Sequence, residues 1–306
     1  MDLSFLPGLQ QLFCMLPGPA VEPVILFFER FAIGTGSFMI VFLIYWCIDK
    51  KTGARLFGSI ASAGLFGSLV LPGNPLVTAG SLYEGIARFF IRHPRIRLVC
   101  RCFPPVLALA GCLLGLYGPL DVIAGLACAW LFLWAGKKLQ NAFHAHGEPD
   151  IAVFLAAMAA AGAVFALLMK APSPFGYRGT AFLHGSGFNE TVFHALGLYT
   201  GFVISWFLDR RVLHFDTEET PIGMRFLRIL LGPILTGLSC LAAAVITTDM
   251  EAGLSHFMEG CFLAVCVFLI IPFLFMQIEG CLEHIVNADL TEEELSGRVS
   301  LPDKHS

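Results

Sequence analysis

Residues 116–138 read LYGPLDVIAGLACAWLFLWAGKK. Pro119 suits a helix start, and Asp121 just after it can accept backbone N–H bonds and favour the helix dipole. From Val122 to Gly136 the chain carries no charge, and Lys137 and Lys138 then end the run. A membrane span needs about 20 residues at 1.5 Å rise each. The stretch therefore reads as one membrane helix, with a carboxylate at one end and two lysines at the other.

The whole chain fits that reading. Of its 306 residues 57% are hydrophobic and 14% are charged, and the mean hydropathy is +0.76. Soluble domains run at about 45–50% apolar and about 25% charged. These values point to an integral membrane protein. The net charge of -4 shows no basic clustering of the nucleic-acid kind. The ten cysteines are scattered without a CxxC pair, so neither a zinc site nor a disulfide framework is expected. No cofactor is expected. Residues 1–23 lack a basic n-region and a small-residue cleavage site, which suggests a segment lying on the membrane surface rather than a signal peptide.

Apolar runs bounded by charges, glycines and prolines predict nine membrane segments, near 24–48, 56–72, 78–92, 98–117, 120–136, 151–169, 188–208, 226–248 and 258–280. The third is short for a full span. With the N-terminus outside, the inner loops and tail hold Lys50, Lys51 and Arg55, then Arg88, Arg92, Arg95, Arg97 and Arg101. They also hold Lys137 and Lys138, Arg210, Arg211, Arg225 and Arg228, then Arg298 and Lys304. Those are sixteen of the nineteen Lys and Arg residues, as the positive-inside rule requires. The expected localisation is the plasma (inner) membrane with a cytoplasmic C-terminus. The fold class is an all-α polytopic helix bundle, because helices satisfy their own backbone in lipid. Four regions are expected: an interfacial segment 1–23, a transmembrane core 24–136, C-terminal transmembrane helices 137–280 and a polar tail 281–306.

Three stretches share the outer side: GLFGSLVLP (64–72), VTAGSLYEG (77–85) and AGCLLGLYGPLD (110–121). With the first span FFERFAIGTGSFMIVFLIYWCIDKKTG (27–53), their order and spacing resemble the type-2 phosphatidic acid phosphatases, which are membrane lipid-phosphate phosphatases. ALGLYTGFVISWFLDRRVLHF (195–215) resembles the C-terminal half of bacterial members. The resemblance covers roughly residues 24–230 and implies a phosphatase-like core followed by additional helices. It also implies three motifs: Lys, six residues, Arg-Pro; Pro-Ser-Gly-His; and Ser-Arg, five residues, His, three residues, Asp. In the family the last His attacks phosphorus, the Asp orients it, the other His protonates the leaving alkoxide, and the cations neutralise phosphate oxygens.

Laid on this pattern, the chain has Gly64 and Leu71-Pro72 in the first motif and Val77-Thr78-Ala79-Gly80 in the second. The third has Ala110-Gly111, then Tyr117 and Asp121. Only Pro72 and Asp121 match. Tyr117 stands where the nucleophile belongs, and a phenol is neutral near pH 7 and needs a base beside it. The three cations are absent together. The resemblance therefore implies a degenerate, catalytically inactive member, a pseudoenzyme. It would bind a lipid or membrane partner through an outer-facing cleft, with a lipid phosphate or isoprenoid as ligand. The alternatives are an active phosphatase on phosphatidate or isoprenoid phosphates and, third, a small-solute transporter.

Pocket candidates are Asp121, Tyr117, Glu84, Thr78 and Arg30. Asp121 has a structural alternative as a helix-start carboxylate, and Arg30, beside Glu29 within the first span, has one as a snorkelling cation. His184 and His194, in FLHGSGFNETVFHALG, lie ten residues apart and do not form one ligand face on a helix, so no metal is expected. GSGF reads as a turn, with Asn189 capping the helix that follows.

Overall fold

The protein is described here from a computed structural model. It describes residues 35–71, 74–113, 118–146, 150–170, 188–217 and 220–281, and isolated positions among 23–31. Every regular element among them is helical. The order is α1 (Thr35–Leu43, running into a π turn at Ile44–Ile48), α2 (Lys50–Val70), α3 (Pro75–Phe89), α4 (Pro94–Leu113) and α5 (Pro119–His146). Then come α6 (Asp150–Lys170), α7 (Phe188–Leu208, with a π turn at Asp209–Leu213), α8 (Ile222–Thr247) and α9 (Ala252–Val265). α9 continues through a π turn at Cys266–Ile270 and on to Cys281. Each of the nine predicted segments falls on one of these helices.

By length and composition, Ile151–Leu168, Glu190–Leu213, Ile222–Thr247 and Gly253–Cys281 suffice to cross a membrane, and Gly36–Ile48 and Pro119–Ala135 are apolar but shorter. α8 exposes Leu230, Ile234, Leu238, Leu241 and Val245, each more than half accessible, on one helical stripe. A soluble monomer rarely shows such a continuous apolar face, and lipid is its natural cover.

Local chemistry sets the helix starts. Asp49 caps α2, its Oδ1 accepting from Lys51 N (2.8 Å) and Thr52 N (3.2 Å) while the Thr52 hydroxyl donates to Oδ2. Asn74 caps α3, accepting from Leu76 N at 3.0 Å, with Pro75 in the first helical position. Three readings depart from expectation. α4 starts at Pro94 rather than 98, because proline tolerates that first turn, so Arg95, Arg97 and Arg101 belong to a helix and not to a loop. α7 starts at Phe188, which puts Asn189 inside its first turn rather than before it. α5 runs on past Lys137 and Lys138 to His146, so the boundary drawn at 136 falls within one helix.

The helices alternate in direction, and side-chain contacts mark the two ends. At the basic end Lys50 pairs with Asp209 (2.6 Å), joining the start of α2 to the end of α7. Nearby, Arg228 of α8 holds Glu279 with two bonds of 2.7 and 2.9 Å and donates to Trp46 O at 2.8 Å. At the opposite end Asn74 Nδ2 donates to Asp121 O (2.8 Å), joining the starts of α3 and α5. There also His256 of α9 lies 3.9 Å from Glu190 of α7. α3, with 15 residues, rises only about 22 Å, yet it links these two ends.

Two seams organise the packing. Phe42, Phe57, Phe202 and Phe268 form one aromatic knot, with Phe57–Phe268 centroids 4.4 Å and Phe57–Phe202 centroids 5.0 Å apart. Beside it, the π turn of α9 presents its carbonyls to the side chains of α1. Trp46 Nε1 donates to Val267 O (3.0 Å) and Tyr45 OH to Phe268 O (3.4 Å), so carbonyls released by the wider turn find partners. The second seam joins α7 to α9. A Cβ on Gly197 would stand 2.0 Å from Phe257 O, one on Gly201 2.4 Å from Cys261 O, and one on Gly260 2.4 Å from His194 O. Only glycine permits this backbone approach, which is how helices pack in lipid where burial alone gives little drive.

Candidate functional site

A cavity of about 230 Å³ lies toward the end opposite the basic one, among α1, α2, α3 and α7. Phe38 closes one side. α2 contributes Phe57, Ile60, Ala61, Gly64 and Ser68, with Leu71 just beyond it. These are spaced i, i+3, i+4, i+7, i+11 and i+14, which is a single helical face. The N-terminus of α3 contributes Asn74, Val77 and Thr78, and α7 contributes Thr191, His194, Ala195 and Leu198. The α7 set is again i, i+3, i+4, i+7.

The site therefore sits where GLFGSLVLP and VTAGSLYEG come together, and Gly64 faces Thr78 across it: a Cβ on Gly64 would be 3.4 Å from Thr78 Cγ2. Among the described residues none of the lining side chains is Lys, Arg, Asp or Glu. Most polar groups are already engaged. Ser68 Oγ donates to Leu65 O (2.8 Å) and Thr78 Oγ1 to Pro75 O (2.8 Å). Asn74 uses its carbonyl on Leu76 N and its amide on Asp121 O. For the Thr191 hydroxyl and the His194 ring no hydrogen-bond partner stands among the described residues, though Glu259 and His256 of α9 lie within electrostatic reach of His194.

The sequence candidates separate. Thr78 lines the cavity. Asp121 stands behind Asn74, and its Oδ2 accepts from Gly118 N at 3.2 Å. That bond runs from the third helical residue back to the residue before the helix, the reciprocal half of a capping box. Glu84 lies ten residues along α3 from Asn74, about 15 Å at helical rise. There it pairs with Arg88 and with Arg101 of α4 (2.8 Å) near the basic end, and it does not line the cavity. Tyr117, Arg30, Glu29 and His184 lie outside the described residues.

His194, Thr191 and Asn74 are the functional candidates that sequence reasoning passed over. In sequence His194 stands out only beside His184, as a metal ligand. Its signal was the α7 face it shares with Thr191, Ala195 and Leu198, but that face has meaning only opposite α2. His256 meets Glu259 at 3.3 Å and Glu190 at 3.9 Å. Among the described residues no group of three His, Cys, Asp or Glu gathers to hold a metal.

Residues 193–281 match the family model described as PAP2 superfamily phosphatase, transmembrane extension. The match begins beside His194 and takes in most of α7, all of α8 and all of α9. It supports membership of the PAP2 superfamily, whose name denotes type-2 phosphatidic acid phosphatases. The matched residues fall on the helices read from sequence as additional C-terminal transmembrane helices. No curated protein and no solved structure matches the chain.

Proposed function

We propose that this is a membrane protein of the PAP2 superfamily that has lost phosphoryl chemistry and binds a lipid in the cavity between α2, α3 and α7. The observation that carries the reading is the lining of that cavity. It lies between the stretches that align with the first two phosphatase motifs, yet among the described residues it presents no cation. Phosphoryl transfer is catalysed mainly by positioning and by charge stabilisation. One charge-assisted contact contributes roughly 1.5–3 kcal/mol, and three such positions hold Gly64, Leu71 and Gly111. Asp121, the surviving motif residue, has a capping role that needs no catalysis. The basic residues gather at the other end, so we assign the cavity end to the outer face of the inner membrane.

His194 favours a second reading, an active phosphatase with rearranged groups, because an imidazole facing the cavity is a competent nucleophile or proton donor. One experiment separates the two. Purified protein in nanodiscs is assayed for inorganic phosphate release from phosphatidate, and native mass spectrometry records retained lipid. We expect release at the empty-nanodisc background, and a retained lipid that Ala195→Phe, which fills the cavity, removes. Release well above background and lost in His194→Gln would establish the phosphatase instead.

A further inference from the structure

The chemistry of the cavity also narrows the ligand. We infer that it selects a neutral lipid alcohol, a single apolar chain whose hydroxyl is held by His194, in preference to a lipid phosphate or a fatty acid. The inference rests on the lipid-binding reading above and goes further by naming the headgroup.

The argument begins with charge. A phosphate monoester carries about -1.5 to -2 at neutral pH, and a carboxylate carries one negative charge. Burying either is costly unless a cation pairs with it, and among the described residues no Lys or Arg lines this cavity. Glu259 and His256 lie within electrostatic reach of His194, and His256 in turn lies 3.3 Å from Glu259 and 3.9 Å from Glu190. These carboxylates disfavour an anion further.

The second step is hydrogen-bond capacity. A neutral imidazole has one donor and one acceptor nitrogen, and a hydroxyl has the complementary pair. Ser68, Thr78 and Asn74 are occupied by the backbone. His194 is the lining imidazole with no hydrogen-bond partner among the described residues. A ligand with one hydroxyl satisfies it. A hydrocarbon leaves it bare, at the cost of an unpaired buried polar group.

Size is the third constraint. An apolar cavity of about 150 Å³ holds a benzene ring, so about 230 Å³ takes the hydroxyl and the first several carbons of one chain. The rest of the chain lies between helices or in lipid. Phe38, Phe57 and Leu198 form the matching apolar wall.

The test uses the full chain in nanodiscs and measures displacement of tritiated farnesol by unlabelled farnesol, farnesyl phosphate, farnesoic acid and farnesyl methyl ether. We expect farnesol to bind at least about tenfold tighter than the phosphate and the acid. The ether, which cannot donate, should bind roughly 3–10-fold more weakly than farnesol. His194→Leu should weaken farnesol by a similar factor and erase the difference between farnesol and its ether. Where His194→Leu does not fold, the ether comparison on the unaltered protein carries the same information. Tighter binding of the phosphate or the acid overturns the inference and leaves lipid binding standing. Equal binding of farnesol and its ether overturns the role of His194. Farnesol binding that Ala195→Phe does not reduce overturns both the inference and the cavity reading beneath it.

Discussion

Asp49 shows how one side chain links sequence to stability. Burial alone would raise its pKa, but the Thr52 hydroxyl, the backbone N–H groups of Thr52 and Lys51, and the Lys51 charge together outweigh burial, so the carboxyl is held below its usual value. A lowered folded pKa means that the ionised cap stabilises the protein above the unfolded value, near 3.9. The contribution fades as pH falls through that value and the lower folded one. Asp49→Ala should cost about 0.5–2 kcal/mol at pH 7, and the cost should shrink below about pH 4. Thermal unfolding followed at pH 7 and pH 3.5 checks this, and an equal loss at both would rule it out. Asp121 belongs to the same scale. The sequence offered it as a remnant of catalysis, and its bond to Gly118 N gives it present work as a helix-start acceptor.

At the scale of elements, the joint of α1, α8 and α9 is held by Arg228. Its guanidinium is buried, forks onto Glu279, donates to Trp46 O and lies 4.6 Å from the Phe215 ring centre. A buried pair adds little over an apolar substitute, but breaking one partner strands a charge. Glu279→Ala should therefore destabilise by about 3–5 kcal/mol, toward the lower figure because Trp46 O and the rings remain. The double variant Arg228→Met with Glu279→Met should lose clearly less. Unfolding midpoints of the three proteins in one detergent decide it: a double variant as unstable as the single one contradicts the argument. The neighbouring pair, Lys50 and Asp209, leaves Asp209 Oδ1 without a partner among the described residues, and nothing in the structure explains it.

For the whole molecule, the helices alternate so that Lys50, Arg210, Arg211, Arg225 and Arg228 gather at one end, while the cavity and the Glu190–His256 contact lie toward the other. By the positive-inside rule the basic end is expected in the cytoplasm. Exposed positions at the two ends test it. A membrane-impermeant maleimide applied to intact cells should label Glu251→Cys above the unaltered protein and should not label Lys51→Cys until the membrane is opened. The reverse pattern would invert the topology and move the cavity to the cytoplasmic side.

Helix content and the rough places of the helices among the described residues were readable in the chain alone, whereas only four of those helices are long and apolar enough to cross a membrane. Lipid imposes helices on apolar runs, and Lys and Arg declare a side whatever the packing. Pro119 and Asp121 marked a helix start for reasons confined to a few residues, whereas the starts set by Asp49 and by Asn74 with Pro75 precede the expected 56 and 78. The site was not readable in this way. Glu84 and Asp121 both look like pocket carboxylates in sequence, but about 15 Å of helical rise separates Glu84 from the Asn74–Asp121 contact, and Arg101 claims Glu84 from another helix. His194 looks like one more apolar-face histidine until α2 and α3 close against α7 and leave its ring facing a cavity. Local backbone chemistry is written along the chain. Which side chains share a cavity depends on where glycines such as Gly197, Gly201 and Gly260 let helices touch, and that is decided between residues far apart in sequence.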